Sequence, residues 1–190
     1  MKKSLTVLAT ALVATLAACA SPGAASTEQQ TPETIAALDH ESAEVLATLG
    51  LSDRVGMVPG AVMNPVLGSH QAELQAVEHT VPVTSELDAE SVIDVYPDLA
   101  IFSPRHGSKA RIGEVLSDAG VNTLELPASW GTLTEVTKNI QLIGEATGSN
   151  DKARELVDEL ETGLAQGEEL TDDAPRVLVL SNQAGRPFIT

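Results

Sequence analysis

The chain has 190 residues, of which 27 are acidic and 11 are basic, and its formal net charge is −16. This charge argues against nucleic acid as a partner, because phosphate binding requires a basic patch, and a single cysteine excludes an intrachain disulfide. Aromatic residues make up only 2% of the chain and leave few rings for stacking, whereas 43% hydrophobic residues suffice for a globular core.

The first residues have the pattern of a lipoprotein signal peptide. Lys2 and Lys3 precede an apolar run, and Leu16-Ala17-Ala18-Cys19 ends that run with small residues. The run is shorter than the about 20 residues of a permanent membrane helix, so we expect its removal. Residue Cys19 stands where a lipobox has its lipid-acceptor thiol, although a lone thiol in a signal segment can also be incidental. We therefore expect an extracytoplasmic protein anchored to the cell membrane by lipid, with residues 1–19 as signal and 20–33 as a flexible tether.

After the tether, short apolar runs alternate with amphipathic stretches, which is typical of a parallel α/β sheet. Ile35–Leu38 and Arg54–Val58 are predicted strands, and Asp39 caps the helix between them, which ends at Gly50. The Pro- and Gly-rich segment 59–68 is predicted to be a loop, followed by a short helix within 71–77.

A β-α-β crossover is the clearest unit, and it lies between Val81 and Leu126. It contains a short helix capped by Asp88, a buried strand at Leu99–Phe102, a helix from Ser108 to Gly120 and a strand from Val121. The apolar face of the second helix is predicted to comprise Ile112, Val115, Leu116 and Ala119. Loops at the carboxyl ends of such strands are the usual place for a ligand.

Two further helices and one strand complete the pattern. Thr132 and Glu135 form a capping box for a helix that ends at Gly148, and a long amphipathic helix opens at Asn150 or Asp151. The apolar sides of these helices are predicted to be Leu133, Val136, Ile140 and Ile143, then Ala153, Leu156, Val157, Leu160 and Leu164. Val177–Leu180 is a predicted strand, and one strand cannot form a domain alone. Either the chain is a fragment, which we favour, or this strand docks on the first domain.

One segment carries a resemblance to a known family: Leu87-Asp88-Ala89-Glu90-Ser91-Val92-Ile93-Asp94-Val95-Tyr96-Pro97-Asp98-Leu99-Ala100-Ile101. It resembles the substrate-binding proteins of iron-siderophore, haem and cobalamin importers, in which a helix leads into a Pro-Asp-Leu-Val-Ile strand. The likeness extends from about Thr34 to Thr190. It implies two α/β lobes joined by one long helix, with the ligand between the lobes. Here it implies an N-terminal α/β lobe over 34–149, the connecting helix over 150–167 and only the start of the C-terminal lobe over 175–190.

The predicted strand ends, with this resemblance, indicate the ligand-binding residues: His40, Met63, Ser85, Ser103, Arg105 and His106. Arg105 is favoured because a guanidinium holds the oxygen-rich or carboxylate groups of ferric siderophores and haem, although an exposed arginine on a solvated loop is the alternative. Each of the two histidines either bonds the ligand or coordinates iron, or else caps a helix or faces water. The other two histidines, His70 and His79, receive no role.

The function implied by the resemblance is capture of an iron chelate and its delivery to an ABC permease, with no intrinsic cofactor and no resident metal. Haem binders of the family carry an axial histidine shortly before the Leu-x-Ala-Glu segment, where this chain has Val83-Thr84-Ser85-Glu86. This departure favours a ferric siderophore over haem. Glu90 matches the carboxylate with which family members dock the permease, or is an ordinary solvent-facing glutamate.

Rival functions have less support in the sequence. No Gly-rich phosphate loop and no Gly-x-Ser-x-Gly elbow is present, so no catalytic residue is assigned and an enzyme is not expected. A direct zinc or manganese binder is the stronger rival, because four histidines and many carboxylates supply ligands of the right kind. Cobalamin is a further alternative ligand, and a purely structural lipoprotein would need no cleft.

Overall fold

A parallel sheet of five strands organises the part of the chain described by the computed structural model, which comprises residues 31–81, 87–103, 108–127, 129–165, 180–183 and 186–189. The strands are β1 (Ile35–Ala37), β2 (Val55–Pro59), β3 (His79–Val81), β4 (Leu99–Phe102) and β5 (Asn122–Glu125). They lie in the order β3-β2-β1-β4-β5, and every neighbouring pair is parallel. The predicted α/β lobe with a parallel sheet is confirmed.

Helices connect these strands. They are α1 (His40–Thr48), α2 (Gln71–Leu74), α3 (Ala89–Ile93), α4 (Ser108–Asp118), α5 (Leu133–Thr147) and α6 (Asn150–Ala165), with short 3-10 turns at Ser52–Arg54 and Gly60–Met63. No helix among the described residues is long and apolar enough to cross a membrane. Two short antiparallel strands, β6 (Leu180–Gln183) and β7 (Arg186–Ile189), form a separate two-stranded sheet.

Helices cover both faces of the parallel sheet, because successive side chains of a strand point to opposite sides. On one face, Ile35 and Ile101 pack with buried residues of α1, α5 and α6. On the other face, Ala100 and Phe102 pack with α3 and α4. Burial on both faces explains why strands such as β4 are apolar throughout.

The strand order reverses between β1 and β4. The chain passes outward from β1 to β2 and β3, and then returns to the opposite side of β1 to place β4 and β5. The strands β1 and β4 are in register, with Ile35 beside Leu99 and Ala37 beside Ile101. At such a switch point the flanking connections leave to opposite faces, which opens a crevice beyond the carboxyl ends of the strands.

The structure contains the capping hydrogen bonds from which the helix boundaries were predicted. The Asp39 carboxylate accepts a hydrogen bond from the Ser42 backbone N–H at 2.8 Å, as the N-cap of α1. Thr132 and Glu135 form the predicted capping box of α5, and Gly148 ends that helix with a φ of 72°. A left-handed residue at this position favours glycine, which has no Cβ to clash. These boundaries are confirmed.

Some predictions of burial and extent are wrong. Val115 is 45% exposed, Leu133 40% and Leu164 59%. Among the α4 side chains that the structure describes, Ile112 and Leu116 are the buried ones, and Gly113 lies over the Phe102 ring, where an added Cβ would come within 2.8 Å of the ring. The predicted apolar faces of these helices are therefore wider than the faces that are buried in the structure.

The edges of the sheet and the last strand also depart from prediction. Strand β3, at the edge of the sheet beside β2, was not predicted as a strand. The predicted strand at Val177–Leu180 lies outside the described residues except for its last residue, where β6 begins. Strand β6 pairs with β7 and is not part of the five-stranded sheet. The predicted cap at Ser108 depends on a side chain that also lies outside the described part.

Candidate functional site

The carboxyl ends of the strands meet at one edge of the sheet, which we call the carboxyl edge. Asp39 and His40 follow β1, the turn Gly60–Met63 follows β2, Ser103 follows β4 and Trp130 lies shortly after β5. Of the predicted site residues, His40, Met63 and Ser103 are therefore at this edge. The predicted residues Ser85, Arg105, His106 and Cys19 lie outside the described part of the chain.

Asp39 and His40 lie at the end of β1, beside the switch point. Asp39 is only 5% exposed, and its Oδ1 accepts hydrogen bonds from the backbone N–H and the hydroxyl of Ser42 at 2.8 and 2.7 Å. Within the described residues, Asp39 Oδ2 and His40 Nδ1 are buried without a hydrogen-bond partner. Buried polar atoms are nearly always paired, so two successive exceptions mark this position as one with unused hydrogen-bonding capacity.

Ser103 contributes to the carboxyl edge through another residue. Its side chain is 1% exposed, and its hydroxyl accepts a hydrogen bond from the indole N–H of Trp130 at 3.1 Å. Trp130 is half-buried and packs against the apolar cluster on the α1 face of the sheet. Ser103 thus lies beneath the surface and holds the indole N–H at the end of β4. A direct ligand contact by Ser103 stays a prediction.

A network centred on one carboxylate fixes the segment Ser129–Thr132, which we call the Trp130 loop. Glu135 Oε2 accepts hydrogen bonds from the Ser129 hydroxyl at 2.9 Å, the Gly131 N–H at 3.1 Å, and the N–H and hydroxyl of Thr132 at 3.0 and 3.1 Å. These bonds, that of Ser129 first, lower the pKa of Glu135 because they stabilise the charged form. Asn139 also donates to the Ser129 carbonyl at 3.2 Å.

Met63 and the turn that follows it form the rim beside β2. Met63 is half-buried against the same apolar cluster. The next turn is rigidly bonded: the N–H of Gly68 donates to the Asn64 carbonyl at 2.8 Å, and the Ser69 N–H donates to the Glu44 carboxylate at 3.1 Å. His70 Nδ1 lies 2.7 Å from that same carboxylate, so this histidine supports the turn.

Glu90 is exposed in the first turn of α3. That helix follows β3 and leads into the start of β4, so its first turn lies toward the carboxyl edge. The Glu90 backbone N–H donates to the Asp88 side chain at 3.3 Å, as part of the N-cap of α3. Its role in docking a permease stays a prediction.

Metal binding was the main rival expectation. Among the residues that the structure describes, no three histidine, cysteine, aspartate or glutamate side chains lie close enough together to hold a metal ion. Asp39 and His40 are neighbours, but no third ligand of this kind accompanies them within the described ranges. The described part of the carboxyl edge offers hydrogen-bonding atoms at Asp39 and His40 and one indole at Trp130.

Sequence reasoning missed Trp130 and used Asp39 only as a helix cap. Trp130 is the single tryptophan of the chain, and it stands two residues before the capping box Thr132–Glu135. Its position after the last predicted strand of the sheet was a usable signal, because that strand end belongs to the same edge. Asp39 follows the same strand as His40, so it could also have been predicted as a site residue from its position at the strand end.

Comparison with known proteins is consistent with this geometry. Residues 35–189 match the model of a family described as periplasmic binding protein. YvrC of Bacillus subtilis (strain 168), an uncharacterized ABC transporter substrate-binding lipoprotein, is 30% identical over 139 residues, which cover 73% of this chain and 41% of that protein.

Two solved structures share the fold. The siderophore-binding protein BauB, bound to ferric iron and two molecules of acinetobactin, has a TM-score of 0.66 and 19% identity, over 84% of this chain and 56% of its own. The periplasmic haem-binding protein RhuT from Roseiflexus sp. RS-1, in apo form, has a TM-score of 0.60 and 18% identity, over 83% and 58%. The chain spans less than two thirds of the length of each of these relatives. Because the family model matches most of its residues, the chain belongs to the periplasmic binding protein family.

Proposed function

We propose that the protein captures a small ligand outside the cell and delivers it to an ABC permease. The observation that carries this proposal is the carboxyl edge of the sheet in a chain of this family. There, Asp39 and His40 present unpaired buried atoms at the switch point, and the Trp130 indole is hydrogen-bonded to Ser103 at the end of the neighbouring strand β4. The name of YvrC, an ABC transporter substrate-binding lipoprotein, supports the same role.

The ligand in this proposal is an iron chelate, with a ferric siderophore favoured over haem. Proteins of the same fold are named for siderophore and for haem binding, which supports the chelate class. The absence of a histidine in the sequence Val83-Thr84-Ser85-Glu86 supports the siderophore. Arg105 and His106, which follow Ser103, are the proposed contacts to the anionic groups of the chelate. The protein then needs no intrinsic cofactor and performs no catalysis.

The rest of the proposed organisation follows the family pattern. Cys19 carries a lipid anchor, residues 20–33 form the tether, and α6 lies within the proposed connecting helix 150–167. Residues 175–190 belong to the second lobe, and Glu90 docks the permease. The lipoprotein description of YvrC supports the anchor.

Mass spectrometry of the small molecules that co-purify with the full-length protein tests the ligand class. The expected result is an iron chelate, and titration with a ferric siderophore then gives tighter binding than haemin or cobalamin. Zinc and manganese titrated without any chelator provide the control. Tight binding of either free metal, with no binding of chelates, would contradict the proposal and favour direct metal binding.

A further inference from the structure

Trp130 is the one aromatic side chain that the described residues place at the carboxyl edge. The chain has only four aromatic residues, and three of them have described side chains: Tyr96, Phe102 and Trp130. Phe102 is 0% exposed, inside the sheet. Tyr96 is 84% exposed, but it lies in the turn that leads into the start of β4, at the opposite edge of the sheet. Among the three aromatic side chains that the structure describes, only the indole of Trp130 therefore lies at the carboxyl edge, where it meets Ser103 at the end of β4.

The indole is held in one orientation from two directions. The Ser103 hydroxyl fixes the Nε1–H at 3.1 Å, and Ser103 itself is buried at the end of the rigid strand β4. The backbone on the other side is fixed by the Glu135 carboxylate, which accepts four hydrogen bonds from the Trp130 loop. A half-buried ring with so little freedom loses little entropy when a ligand packs on it.

We propose that Trp130 contacts the ligand through its indole ring and makes the site selective for chelates that present an aromatic plane, with Ser103 and Glu135 as its positioning residues. This inference rests on the proposed function and adds the chemical class of the chelate: a catecholate or other aryl siderophore rather than a ringless hydroxamate. Two aromatic planes gain an interaction beyond that of apolar contact alone, in offset or edge-to-face geometry. A chelate without an aromatic ring gains only the apolar contact with the indole.

The ring itself is tested with three substitutions at one position in the full-length protein. Trp130→Phe keeps an aromatic ring but loses the N–H, Trp130→Leu keeps apolar volume without a ring, and Trp130→Ala removes both. Affinities are measured by calorimetry for a ferric catecholate siderophore, a ferric trihydroxamate and haemin. We expect the wild-type protein to bind a ring-bearing chelate more tightly than the trihydroxamate. Trp130→Leu should weaken that chelate about three- to tenfold and Trp130→Phe less, with little change for the trihydroxamate.

Tyr96→Leu is the matched control, because it removes an exposed aromatic ring at the opposite edge of the sheet and should leave every affinity unchanged. The inference is overturned if Trp130→Leu and Trp130→Ala bind the ring-bearing chelate as the wild type does, or if the trihydroxamate loses affinity equally. Wild-type preference for the trihydroxamate would also overturn it while leaving the proposed function intact. If no chelate binds at all, the proposed function itself fails.

The positioning role of Glu135 needs a readout that general loss of stability does not change. In the 190-residue chain the indole emission comes from Trp130 alone. Glu135→Ala should shift that emission to longer wavelength in the folded protein, with near-native circular dichroism. Glu135→Gln, which keeps an acceptor for the capping box, should restore much of the wild-type spectrum. Glu145→Ala, on the exposed side of the same helix, is the control. Identical spectra for the wild type and Glu135→Ala would remove Glu135 from the proposal.

Discussion

Gly144 of α5 lies directly against Ala153 of α6, so closely that a Cβ on residue 144 would overlap the Cβ of Ala153. This contact brings the backbones of the two helices together immediately after the turn at Gly148. It is part of the packing that fixes α6 against α5, since Ala153 is, with Val157, one of the two buried residues of α6. The proposed connecting helix therefore depends on a glycine in the preceding helix.

Gly144→Ala should destabilise the protein by about 1–3 kcal/mol, although alanine favours a helix, because the added methyl group has to push α6 outward. Urea unfolding followed by circular dichroism measures the change. Gly163→Ala is the matched control, because this glycine of α6 has no described neighbour within 4 Å of the position of an added Cβ. It should stabilise the helix by roughly 0.5–1 kcal/mol. Stabilisation by both substitutions would show that the two helices are not closely packed.

The Glu135 carboxylate makes part of the stability dependent on pH. Its hydrogen bonds to Ser129 and Thr132 lower the folded-state pKa from the ordinary value of 4.5. A group whose pKa is lowered on folding contributes stability above its unfolded pKa, and this contribution is lost as the pH falls through the folded pKa. We therefore expect the Trp130 loop to loosen in acid, below about pH 4.5.

Urea unfolding across a pH series, for the wild type and Glu135→Gln, measures this contribution. The variant cannot titrate at residue 135, so its free energy of unfolding should fall less steeply between pH 4.5 and more acidic values. The Trp130 emission of the wild type should change over the same range before global unfolding. Parallel pH curves for the two proteins would mean that Glu135 does not contribute.

Local signals made most of the fold predictable. The boundaries of α1 and α5 follow from capping side chains within three residues of the helix start, at Asp39 and at the Thr132–Glu135 box. The buried strand Leu99–Phe102 was predicted over its full length because its apolar run is continuous. The strand β3 was not predicted, because it is short and mostly exposed and exists through its pairing with β2, with His79 beside Met57.

The site was less predictable because it depends on contacts between distant parts of the chain. His40 and Ser103 can be chosen as candidate site residues from the sequence alone, because each follows a predicted strand. Local pattern does not reveal that Ser103 is buried under an indole 27 residues away, since this follows from the pairing of β4 with β5. The apolar faces predicted for α4 and α6 also included Val115 and Leu164, which are exposed in the structure. Helix periodicity alone does not show which apolar residues meet another part of the chain.

Cys19→Ser tests the proposed lipid anchor. Without the thiol no diacylglycerol can be attached, so the protein should move from the membrane fraction into the periplasm or the medium. Immunoblots of fractionated cells measure the change, with Ser21→Ala as a neighbouring control that keeps the thiol. Unchanged membrane retention of the Cys19 variant would show that something other than the lipid holds the protein.

Arg105 and His106, which follow the buried end of β4, are the proposed contacts to the charged groups of the chelate. Strand β4 is buried and lies between β1 and β5, so the residues that leave its carboxyl end start from a rigid base. Arg105→Ala in the full-length protein should weaken an anionic ferric chelate by roughly 1.5–3 kcal/mol, the range for a hydrogen bond to a charged group. Arg111→Ala, an exposed arginine on α4, should change affinity little at similar net charge.

The affinity lost by His106→Ala, compared with that lost by Arg105→Ala, distinguishes a ferric siderophore from haem as the ligand. A siderophore already saturates the coordination of its iron, so His106→Ala should cost less than Arg105→Ala if the ligand is a ferric siderophore. Haem leaves an axial position open to a histidine, so with haem the His106 variant should lose the most. Calorimetric titrations of both variants with both ligands, with circular dichroism to confirm folding, give this comparison. If neither substitution changes affinity in a folded protein, the chelate is held by other residues of the carboxyl edge, and His40 and Met63 become the first positions to substitute.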